Sequence, residues 1–107
     1  MLGMRLPAHR QAGKRVVFKY PLKVEDETEV TMAWGALILA VQWQGSSPCI
    51  WALIDPTEKE TVVRKFHVAG TGATIEWKLN MVHVGTVQAS HKLFSGDMVF
   101  HVFEYGQ

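Results

Sequence analysis

Side chains able to do chemistry gather most closely between His67 and Glu76. His67, the Gly70-Thr71-Gly72 segment and Glu76 place an imidazole, a hydroxyl, exposed backbone N–H groups and a carboxylate around one loop. The glycine backbone and Thr71 suit a phosphate or a carbonyl-containing ligand, and Glu76 suits a cation or a proton. The segment lacks the glycine spacing and the Lys-Ser/Thr ending of a phosphate-binding loop, and a single Gly-x-Gly without a long following helix defines no dinucleotide site. A turn demanded by backbone geometry is the simpler reading, and ligand contact requires His67 to project toward the same cleft.

His67, His83 and His101 fall on three expected strands, where converging imidazoles can hold zinc with an open coordination position. Their separations form no compact metal signature, so neither a metal nor any other cofactor is expected. His9 and His91 need no special role. Ser46 and Ser47 lie in a hairpin connection without a nucleophile elbow or a His-Asp relay. Asp55, just before Pro56, is placed to end a strand rather than to act as a base. Cys49 is the sole cysteine. It excludes an intrachain disulfide, suits a reducing compartment, and its apolar strand context argues for a buried small side chain over a reactive thiol. No catalytic residue is assigned, and an enzyme is not the leading expectation.

The elements that must position these groups read as strands. Val16, Phe18 and Tyr20 alternate against Arg15, Val17 and Lys19. Thr28, Val30 and Met32 turn inward while Glu27 and Glu29 meet water. Ala33-Trp34-Gly35-Ala36 turns the chain into Leu37–Trp43, and Gly45-Ser46-Ser47-Pro48 connects this to Cys49–Ile54 as an antiparallel hairpin. A four-residue loop pairing Gln44 with Cys49 sets Trp43 opposite Ile50 and Val41 opposite Ala52, with Gln42 beside Trp51 on the other face. Glu58–Val68 is a further strand region, followed by a short β pattern at Ile75–Trp77 and by strands at Met81–Gln88 and Met98–Tyr105. Ala89–Gly96 is expected as a loop or a single helical turn. In the last strand Val99, His101, Phe103 and Tyr105 share one face; Met98, Phe100, Val102 and Glu104 share the other. The expected fold is all-β: a compact barrel or two-sheet sandwich of about seven mainly antiparallel strands. An extended or flexible arm occupies residues 1–13, and one domain occupies 14–107.

With 107 residues, 48% hydrophobic and 20% charged, the chain suits one soluble core. No apolar run is long enough to cross a bilayer, and no signal-peptide pattern opens the chain, so cytoplasmic residence is expected. The formal charge of +1 gives no broad attraction to nucleic acid. Arg64, Lys65 and Lys78 beside Trp77 are dispersed, and nucleic acid is not an expected partner. Glu25, Asp26, Glu27 and Glu29 form an acidic patch able to steer a charged partner.

Taken in order, Tyr20-Pro21, Pro48 to Pro56, Gly70-Thr71-Gly72 and Val99 to Glu104 carry a resemblance. Over approximately Val17–Glu104 the chain resembles small single-domain proteins encoded by bacteriophages and prophages. The resemblance implies a compact domain in a bacterial or phage setting, hence residence in the cytoplasm of a bacterial host, and supplies no catalytic residues.

The central hairpin is apolar on both faces, so one face needs cover beyond a single sandwich core. This makes a homo-oligomeric, noncatalytic protein-binding module the leading expectation, with Trp34, Trp43, Trp51 and Trp77 as interface residues and a host or phage protein as partner, acting by occlusion. A small-molecule-binding domain using His67, Gly70, Thr71, Gly72 and Glu76 is the second expectation. A metal-dependent enzyme is the third.

Overall fold

The computed structural model describes Leu6, residues 12–89 and residues 98–106. His9, His91, most of the expected arm and nearly all of the Ala89–Gly96 connection lie outside the described residues. Seven strands follow in chain order: β1 (Val16–Pro21), β2 (Thr28–Ala33), β3 (Leu37–Gln44), β4 (Ser47–Ile54), β5 (Thr61–Gly70), β6 (Val82–Ala89) and β7 (Met98–Tyr105). They form two antiparallel sheets, one ordered β1-β4-β3 and the other β2-β5-β7-β6, in a sandwich-like arrangement.

Alternation decides which side chains enter the core. Ile50, Ala52 and Ile54 of β4 face Met32, Phe66, Val68, Val87, Phe100 and Val102 of the larger sheet, all buried in one cluster. Glu29 and Thr31 alternate outward between Thr28, Val30 and Met32, as the period of two requires. The two sheets approach each other closely where β3 meets β6. A Cβ built on Gly85 would lie 3.1 Å from the Val41 Cβ, so glycine permits this approach. Trp43 stacks on Phe100 at 5.7 Å between ring centroids, closing the same side. Both strands carry a register break there, between Ile38 and Ala40 in β3 and between His83 and Gly85 in β6. Bulges of this kind bend an edge strand and increase its local twist.

The hairpin register departs from expectation. Gln44 pairs with Ser47, Trp43 with Pro48 and Val41 with Ile50, leaving a two-residue connection, Gly45-Ser46. Gly45 has φ of 66°, a conformation suited to glycine at the first central position of a tight hairpin turn. The four-residue loop is thereby corrected to two. The pairing slides by two residues, which preserves parity, so Trp43 and Trp51 still occupy opposite faces. The second correction concerns Ile75–Trp77, which belongs to no strand. These residues lie in a strap between β5 and β6 that supplies side chains to the outer face of the larger sheet.

Asp55 ends β4 by accepting bonds from the Thr57 backbone N–H at 2.9 Å and the Thr57 hydroxyl at 2.7 Å. The Thr57 hydroxyl and N–H hold its carboxyl below the usual carboxylate range. Among the described residues, no helix is long and apolar enough to cross a membrane.

Candidate functional site

His67 sits on the outer face of β5, opposite Phe103 of β7. Its relative exposure is only 3%, and neither ring nitrogen has a hydrogen-bond partner among the described residues. An imidazole left in this state carries the desolvation cost of two polar atoms, about 1–3 kcal/mol for each unsatisfied group. Such an arrangement calls for a reason beyond packing.

The surroundings of His67 supply one. A cleft of about 650 Å³ is lined by Glu25, Asp26, Glu27, His67, Thr74, Glu76 and Lys78. Two chain segments build it. The bend before β2 is held beside β5 by the Val68 N–H, which donates to the Glu25 carbonyl at 3.0 Å. The strap after β5 contributes Thr74, Glu76 and Lys78 at alternate positions, while Trp77 turns away to make an edge contact with Phe103 at 5.6 Å. Lys78 approaches Glu27 to 3.5 Å and lies 5.2 Å from the Tyr105 ring centroid, tying the two segments together.

Four carboxylates face one lysine in this cleft. A neighbouring cleft of about 560 Å³ shares Glu25 and Glu27 but adds both Lys23 and Lys65, which offset most of its negative charge. The negative potential is therefore concentrated on the His67 side. Tyr105 lines the neighbouring cleft. Burial raises its phenol above the ordinary value, and the charges of Glu27 and Glu29 raise it further. Burial also raises Tyr20.

His67 and Glu76 both line this cleft, whereas Gly70, Thr71 and Gly72 are not among its lining residues. Gly70 ends β5, and Gly72 adopts φ of 92° in the turn that follows. The Thr71 N–H donates to the Val99 carbonyl at 3.1 Å. Its hydroxyl meets His101 Nε2 at 2.8 Å. His101 Nδ1 and His83 Nε2 each contact the Thr86 hydroxyl at 3.0 Å. This chain fixes the turn to the outer sheet face. His83 and His67 both lie opposite Phe103 on its two sides, hence about 10 Å apart at two strand spacings. Among the described residues, no group of three or more His, Cys, Asp or Glu is arranged to hold a metal ion.

The tryptophans occupy separate surfaces. Trp34 borders a smaller cavity with Arg64. Trp43 donates its indole N–H to the Gly45 carbonyl at 2.9 Å while stacking on Phe100. Trp51 is half-buried on the outer face of the smaller sheet, and Trp77 is exposed over the larger one. The sandwich stands between these last two, so the four do not form one continuous rim. Cys49 is buried.

Glu25, Asp26, Glu27, Thr74 and Lys78 are the cleft residues that sequence reasoning did not connect to His67. The alternation of Thr74, Glu76 and Lys78 is the local signal for a shared direction. The link to the acidic bend arises only through long-range packing.

Fold and site together define a small antiparallel β-sandwich domain with an acidic cleft floored by a buried histidine. The chain belongs to the family described as Domain of unknown function (DUF7352), whose model matches residues 13–107. No curated protein and no solved structure matches the chain.

Proposed function

We propose that this domain is a noncatalytic binding module that takes a small cationic ligand in the cleft between the acidic bend and the strap. The observation carrying the reading is His67, buried and without a partner at either nitrogen, in a cleft dominated by carboxylates. A neutral imidazole has one acceptor nitrogen. That acceptor suits a cationic N–H donor, while the carboxylates accept further donors and stabilise the charge. A volume near 650 Å³ falls in the ordinary range for small-ligand clefts.

Replacing His67 separates binding from packing. His67→Leu is expected to leave stability unchanged or raise it by up to about 2 kcal/mol, because it removes buried polar atoms that lack partners. The same variant should lose cation binding. Urea unfolding and calorimetric titration measure the two effects; a stability loss above about 1 kcal/mol would show that the imidazole is satisfied within the fold.

A second reading, association of two copies, draws support from β1. This strand is an edge of the smaller sheet, and Val17 and Phe18 are each 50% exposed. Unpaired edges with apolar side chains favour strand addition. Sedimentation should then show a dimer that Phe18→Lys dissociates, and a monomer at every accessible concentration would exclude it.

A further inference from the structure

We propose that the cleft is selective for a linear aliphatic polyamine, a chain carrying two or more ammonium groups, over a single metal ion or a monoamine. The inference rests on the cation-binding reading and narrows its ligand class. Its first support is the distribution of charge. Glu25, Asp26 and Glu27 come from the bend before β2, whereas Glu76 comes from the strap, yet all line one cleft. No three acidic or histidine side chains among the described residues are arranged around a common point. The charge is spread along the cleft, an arrangement poorly matched to one compact ion, since divalent metals require several ligands at short, fixed distances. A flexible chain with ammonium groups spaced along it can meet carboxylates from both segments.

The second support is the character of the lining. Apart from the His67 imidazole, the lining side chains are acidic, hydroxyl or ammonium groups, with no Phe, Tyr or Trp. A quaternary ammonium is recognised chiefly by aromatic faces, and this cleft offers none beyond the imidazole. Trp77, the nearest aromatic residue along the strap, is engaged with Phe103. Primary and secondary ammonium groups instead present N–H donors, which match carboxylate oxygens and the unpartnered acceptor of His67. Lys78 lies beside Glu27 as the strap's own ammonium on the acidic bend. The ligand extends that pairing to the remaining carboxylates.

Calorimetric titration of the full chain, paired with the His67 ring resonances, tests the proposal at fixed ionic strength. The probes are a linear triamine, a monoamine of similar length, a tetraalkylammonium ion, and Mg²⁺, Ca²⁺ and Zn²⁺. The triamine should bind at least about tenfold more tightly than any other probe and shift the His67 resonances, as expected when several charge-assisted contacts act together. Glu76→Gln should weaken it roughly fivefold. Glu29→Gln removes the same charge outside the cleft lining and should change affinity less than about twofold at moderate salt.

Equal weakening by Glu76→Gln and Glu29→Gln would reveal diffuse attraction and overturn the site. If a monoamine, tetraalkylammonium or metal ion perturbs His67 and binds as well as the triamine, polyamine selectivity fails while cation binding stands. If none of the probes perturbs His67, both readings fail. Circular dichroism of each variant verifies folding, so a loss of binding is assigned to the cleft.

Discussion

Glu104→Ala should destabilise the domain by about 3–5 kcal/mol, the usual cost of removing one partner from a buried ion pair. Glu104 accepts two bonds from Arg64, at 2.6 Å from Nε and 2.8 Å from Nη2. Their side chains are only 8% and 13% exposed, so solvent screening is limited. Arg64 Nη1 also donates to the Ala36 carbonyl at 2.7 Å. That third bond anchors the Trp34-Gly35 turn, through which the chain passes from the larger sheet to the smaller one. Removing the carboxylate strands a guanidinium inside the sandwich with one remaining partner among these contacts. Urea denaturation should show the loss as a lower midpoint. A combined Arg64→Met and Glu104→Leu variant should recover most of it, because a buried pair is often replaceable by apolar side chains. A single-variant cost below about 1 kcal/mol would mean that the pair behaves as a solvated surface bridge.

Phe66→Ala should cost a comparable amount, about 3–5 kcal/mol, through a different mechanism. Phe66 has no measurable exposure and is among the largest fully buried side chains. It lies in β5 between Thr28 of β2 and Glu104 of β7, on the face opposite His67. Truncation removes a ring from the middle of the core and leaves a cavity that paired strands close only partly. The urea midpoint should fall with little change in slope, since the surface exposed on unfolding is nearly the same. Binding at the outer cleft should persist in the fraction that remains folded. Loss of affinity at full folding would instead show that the core residue controls the position of His67, its neighbour along β5.

Much of the architecture was readable because side-chain direction in a strand repeats every two residues. This local rule divided β2 into inward Thr28, Val30 and Met32 and outward Glu29 and Thr31. It also divided β7 into Phe100, Val102 and Glu104 on one face and His101, Phe103 and Tyr105 on the other. Near the turn of the central hairpin parity holds, because a two-residue slide moves no side chain to the opposite face, but the bulge between Ile38 and Ala40 then reverses it, so that Ile38 packs on the core beside Val41 and Leu39 is exposed. Where alternation meets a nonrepetitive path it fails: Ile75–Trp77 has β-forming residues, but this segment lies over the outer face of the larger sheet as a strap.

The candidate site was only half legible for the same reason. Nearness in sequence joined His67 to Glu76, yet it also joined them to the Gly70-Thr71-Gly72 turn, whose hydroxyl instead meets His101 on the sheet surface. Sequence by itself determined the all-β class, the faces of the strands where no bulge intervenes and the presence of an acidic run. Only the tertiary structure placed Glu25–Glu27 against the strap and left His67 buried beneath them without a partner. Strand faces follow from backbone geometry over a few residues, whereas this cleft depends on antiparallel pairings between distant segments, and no local periodicity specifies which segments meet.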